Sequence, residues 1–168
     1  MNFVLEPLKQ LIESLRDELR EYGEMLALLD KQQGQVVTRV PDEVLQIASE
    51  IGRHSVVLQT AREKREAARR DLARQLSIGE DVSLSELLPL VPADYRPLLQ
   101  ALVEENNELL FRIQQRARQN HLLLSRSVEL MQNCISSLFP GTRPKVYGGN
   151  GGLAQGVTAG RLLYEAVG

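Results

Sequence analysis

The sequence predicts an all-α protein: an elongated antiparallel bundle of three long helices with coiled-coil character, followed by a Gly-rich C-terminal tail. Three observations predict it. Apolar residues recur in heptad alternation near the N-terminus, a second charged segment repeats them at about 3.5-residue spacing, and a third stripe runs for some forty residues without Pro or Gly. The expected organisation is a bundle over 1–140, with helices near 3–33, 41–77 and 94–139, and a flexible tail over 141–168.

The first helix rests on Leu5, Leu8, Ile12, Leu15, Leu19, Tyr22, Leu26 and Leu29. Between them lie Glu13, Arg16, Asp17, Glu18, Arg20, Glu21 and Glu24, which read as a solvated face suited to i,i+4 pairing rather than catalysis. Gln32-Gln33-Gly34 weakens the pattern, and Val40-Pro41-Asp42 is a restart signal, so the chain reverses between Lys31 and Asp42.

The second helix carries Val44, Ile47, Ile51, Leu58, Ala61, Ala68 and Leu72 and is expected to pack antiparallel to the first. Its later half is rich in charge, with Arg62, Lys64, Arg65, Arg69, Arg70 and Arg74 opposed by Glu63, Glu66 and Asp71. Those acids, and the absence of interleaved aromatics, favour a solvated helix face over a nucleic-acid patch. His54 reads as a packed or partly exposed imidazole, since His121 is the only other histidine and no cysteine accompanies either.

Gly79 is expected to stop the second helix, and Ser83 with Glu86 has the spacing of a capping box for a short turn. Residues 80–93 then read as an ordered connection covering one end of the bundle, which Pro89, Pro92 and Pro97 keep from being one continuous helix.

The long third helix carries the stripe Leu99, Val103, Leu110, Ile113, Ala117, Leu124, Val128, Met131, Ile135 and Leu138. Glu104 to Glu108, with Asn106 and Asn107 among them, interrupt it. Beyond Arg126 the helix becomes apolar over more of its circumference than one supporting helix covers, so a further partner is expected there. Cys134, on that apolar side, reads as a small core residue rather than a reactive thiol. Pro140-Gly141 closes the helix.

The tail holds Gly141, Gly148, Gly149, Gly151, Gly152, Gly156 and Gly160, with a possible short helix over Thr158 to Ala166. Its Gly148-Gly149-Asn150-Gly151-Gly152 run lacks the Lys-Ser/Thr of a phosphate-binding loop and the spacing of a dinucleotide fold, and reads as a hinge.

Composition narrows the function classes. A net charge of -2 gives no basic field for nucleic acid, and the single cysteine cannot build an intramolecular disulfide. Scattered Ser, His and carboxylate residues make no nucleophile or metal constellation, so no enzyme activity, cofactor or metal is expected. Residues 1–10 lack the basic and apolar regions of a cleaved signal, and no run is apolar enough to span a membrane; the expected place is the cytoplasm.

The succession of a heptad-rich helix, a second helix ending in REAARRDLARQLSIG, a third containing LVEENNELLFRIQQRARQNHLLLSRSVELMQNCISSLFPG, and the following KVYGGNGGL resembles the FlgN family of flagellar export chaperones. That resemblance implies a cytoplasmic chaperone, with export-apparatus components as further partners, that holds the unfolded C-terminal segments of the two hook-filament junction proteins. With that role in view, the apolar surplus on the third helix places a client site at Leu124, Val128, Met131, Ile135 and Leu138, with Leu153, Val157, Leu162 and Leu163 of the tail as adjustable cover. A homo-oligomeric coiled-coil adaptor is the alternative, using the first-helix heptads between subunits.

Overall fold

The computed structural model describes residues 2–38 and 40–138, and these contain α1 (Asn2–Thr38), α2 (Pro41–Gln75), the single-turn α3 (Leu84–Leu87) and α4 (Arg96–Leu138). Two 3-10 turns, Leu88–Leu90 and Ala93–Tyr95, lead into α4, which thus begins two residues later than expected. No strand occurs among the described residues. The expected tail over 141–168 lies outside them.

The core of α1 is wider than its heptads indicate. Besides Leu8, Ile12, Leu15, Tyr22, Leu26 and Leu29, the structure buries Leu11, Glu18, Met25, Gln32 and Val36. The added positions 11, 18, 25 and 32 form a second heptad row, because α1 is the central helix and packs against both α2 and α4, which hardly approach one another. Glu18 is therefore a correction: it is fully buried, not part of a solvated face. The helix also runs past Gly34 to Thr38. A mid-helix glycine costs about 1 kcal/mol, and burial of Gln32 and Val36 against the neighbouring helices offsets it.

Two buried side-chain amides set the alignment of α1 with α4. Asn106 Nδ2 donates to the Leu15 carbonyl (3.1 Å) and Asn120 Nδ2 to the Leu29 carbonyl (2.7 Å), each spanning 91 residues of chain. A constant offset means that the two helices run parallel and in step. Extending it pairs the row Leu8, Leu15, Tyr22, Leu29, Val36 with Leu99, Asn106, Ile113, Asn120, Ser127. Leu8 and Leu99 indeed share one core cluster, and Tyr22 and Ile113 the other. α2 runs the opposite way: Glu18 meets Arg65 (3.3 Å), Glu21 meets His54 (3.6 Å) and Lys31 meets Glu50 (3.7 Å).

The helix ends follow from local chemistry. α2 starts with Pro41 in its first turn, where the missing N–H is no loss, and Asp42 and Glu43 face the positive end of its dipole. At the far end Ser77, not Gly79, takes the left-handed conformation (φ 56°). Ile78 N–H then bonds Ala73 O (3.1 Å) and Ser77 N–H bonds Arg74 O (3.0 Å), a Schellman motif that turns Ile78 back onto the core. Ser83 and Glu86 make the expected reciprocal capping box, and these bonds hold the Glu86 carboxyl below its ordinary pKa. The connection then buries Leu87 and Val91 among Leu8, Leu11, Leu72 and Leu99, closing that end of the bundle. Each such side chain contributes about 1.5–3 kcal/mol on removal from water.

Candidate functional site

The register between α1 and α4 creates the site. At an offset of 91, Thr38 stands level with Glu129, so Leu138 lies nine residues further, about 14 Å at 1.5 Å per residue. The end of α4 has thus outrun the helix that supports it. The result is an apolar groove of about 490 Å³ over the end of α1.

Val36 contributes from α1, and Pro41, Val44 and Leu45 from α2. Leu124, Ser127, Val128, Leu130, Met131 and Cys134 complete it from α4. No charged residue lines it, and several of its residues remain open to solvent: Leu45 is 70% exposed, Val128 54% and Met131 59%. An apolar concavity of this kind gains free energy by receiving apolar side chains, and its one hydroxyl, on Ser127, already donates to the Leu123 carbonyl.

Of the expected site residues, Leu124, Val128 and Met131 come together in this groove, while Ile135 and Leu138 are exposed on the overhang without lining it. Leu153, Val157, Leu162 and Leu163 lie outside the described residues. Cys134 is a correction: it is exposed at the groove, because α1 ends before reaching it. Sequence reasoning missed Val36, Pro41, Val44 and Leu45. The adjacent pair Val44-Leu45 was the available signal, since consecutive apolar residues on a helix point to a face wider than one stripe.

The other cluster of polar side chains lies between the two core clusters. Tyr22 donates its hydroxyl to Glu18 Oε1 (2.8 Å), and Arg65 Nε approaches Glu18 Oε2 (3.3 Å). Burial, and next the negative charge of Glu18, push the Tyr22 phenol above its ordinary pKa. Nearby, His54 donates from Nε2 to the Glu21 carbonyl (2.9 Å). This cluster is enclosed and satisfies its own charges, so it joins α1 to α2 and offers no cleft to a substrate. Three arginines of α2 are likewise engaged, Arg65 and Arg69 with Glu66 and Arg74 with Asp71 and Glu80.

Among the described residues no group of His, Cys, Asp or Glu is arranged to hold a metal ion, and no helix is long and apolar enough to cross a membrane. A family model described as FlgN protein matches residues 1–155. No curated protein and no solved structure matches the chain.

Proposed function

Because the chain belongs to the FlgN family of flagellar export chaperones, we propose that it holds the unfolded C-terminal segments of the hook-filament junction proteins in the cytoplasm and delivers them for export, with the groove between α2 and α4 as the holding site. The observation that carries this reading is the groove itself: three helices contribute only apolar and small side chains to one solvent-open concavity. A client segment that forms an amphipathic helix after assembly exposes one apolar face beforehand, and that face aggregates unless covered. The flexible, unbranched side chain of Met131 suits repacking around two related segments. Premature assembly is prevented by the same contact, since the covered face is the one needed for it.

Titration calorimetry with a junction-protein C-terminal peptide tests the reading. Micromolar or tighter binding that is lost in Val128→Asp supports it, and wild-type affinity in that variant eliminates the groove as the holding site. The alternative, a homo-oligomeric coiled-coil adaptor, requires the α1 heptads at a subunit interface. Of those heptad residues, Leu8, Ile12, Leu15, Tyr22, Leu26 and Leu29 are instead buried within the chain by its own neighbouring helices.

A further inference from the structure

The space between α2 and α4 is treated differently at its two ends. At one end the chain's own connection fills it: Leu87 and Val91 are buried there, with Val82, Leu84 and Leu88 packed around them. At the other end nothing among the described residues fills it, and Leu45, Val128 and Met131 stay open to solvent. The chain itself continues from this open end. Residues 139–168 follow Leu138 directly and include Leu153, Val157, Leu162, Leu163 and Tyr164.

The geometry points to the segment Leu153–Tyr164 of the same chain as the resident occupant of the groove, folded back along α4 so that a client must displace it. Length permits it. From Leu138 back to Leu124 is fourteen residues of helix, about 21 Å, and the fourteen residues 139–152 reach at most about 46 Å when extended. The groove between Leu124 and Cys134 is about 15 Å long, which a twelve-residue apolar segment covers. Composition supports it as well, because Leu153–Tyr164 has a single charged residue, Arg161, and the groove has none. An occupant carried on the same chain acts at a high effective concentration, so it shields the groove between clients yet yields to a longer apolar segment. The inference rests on the proposed holding site only where it concerns displacement; occupancy by the tail stands without it.

Cys134 is the only cysteine and lines the groove, so its thiol reports occupancy in the full-length chain. The rate of its reaction with a neutral maleimide is compared between the wild type and the full-length double variant Leu162→Asp/Leu163→Asp, with far-ultraviolet circular dichroism confirming unchanged helicity. Occupancy predicts at least a fivefold faster reaction in the variant, independent of protein concentration. Equal rates overturn the inference, and protection that grows with protein concentration overturns it in favour of a second copy. Adding a junction-protein peptide separates the two proposals. If the tail variant is unprotected and the peptide then restores protection, both stand; if the tail protects and the peptide neither binds nor alters the variant's rate, the holding site fails while the tail's occupancy stands.

Discussion

Asn106 donates its side-chain amide to the backbone carbonyl of Leu15, 91 residues earlier in the chain, and Asn120 repeats the bond to Leu29 at the same separation. Both are almost fully buried, and both leave the side-chain oxygen Oδ1 without a partner. A buried amide with an idle oxygen costs stability, so its value lies in specifying register. In this alignment both amides reach α1 carbonyls, and Asn120 also donates to the buried Gln32 Oε1 (2.9 Å), a side-chain contact that a shifted register loses.

The double variant Asn106→Leu/Asn120→Leu is therefore expected to be about as stable as the wild type or up to about 2 kcal/mol more stable, since two imperfectly satisfied amides leave the core. Its register becomes less defined. Urea unfolding and light scattering check this: a broader transition with mixed oligomers fits, whereas a loss of more than about 2 kcal/mol with a sharp monomeric transition contradicts it.

Tyr22 gives the protein an alkaline weakness. Its folded-state pKa lies above the unfolded value of about 10. The native state then keeps a proton that the unfolded chain releases, so the stability it contributes is complete below pH 10 and declines as pH rises beyond that value. Tyr22→Phe removes the hydroxyl that Glu18 accepts from and should cost about 1–3 kcal/mol at pH 8. Between pH 8 and 11 the wild type's advantage should shrink by about 1.4 kcal/mol in total. Denaturant unfolding of both proteins at pH 8 and 11 decides it, and an advantage that does not change with pH refutes the assignment.

Ser77 holds a φ of 56° at the end of α2, a conformation that costs a side-chain-bearing residue about 1–2 kcal/mol and glycine little. Part of that gain is offset by the greater freedom of glycine in the unfolded chain. Ser77→Gly is expected to raise stability by about 0.5–1 kcal/mol, a rise of about 1–4 °C in Tm. A lower Tm would mean that the serine hydroxyl contributes more than the backbone strain costs.

The long helices were legible because their apolar spacing is periodic: Leu15 and Leu99 are core residues in sequence and structure alike. Glu18 and Asn106 were not legible, because a charge or amide on a heptad row reads as solvent-facing until the helices on both sides are placed. The turn residue was misread for a similar reason. Gly79 is the better left-handed residue locally, but the core contact of Ile78 fixes the Schellman motif at Ser77. Of the site, the α4 wall was visible as surplus apolar surface. Its α2 wall was not, since Val44 fits the core stripe and only the packed structure shows it lining the groove beside Val36.

That second wall separates a groove from a merely sticky helix end. Leu45 on α2 and Val128 on α4 are both exposed and line the same concavity, so either can be changed without opening the core. If a junction-protein segment lies between them, Leu45→Asp and Val128→Asp should each weaken its binding at least tenfold, and the double variant should lose less than the sum because both side chains touch one ligand. Leu15→Ala is the opposite control: it empties a buried site and should cost about 2–5 kcal/mol of stability while the folded fraction binds as before. Calorimetry alongside circular dichroism reads all four proteins. Loss of binding in Val128→Asp with full affinity in Leu45→Asp would move the client off the groove and onto the overhang of Ile135 and Leu138, where α4 has no neighbour from α1 and an amphipathic segment has one helix face rather than two walls to hold it.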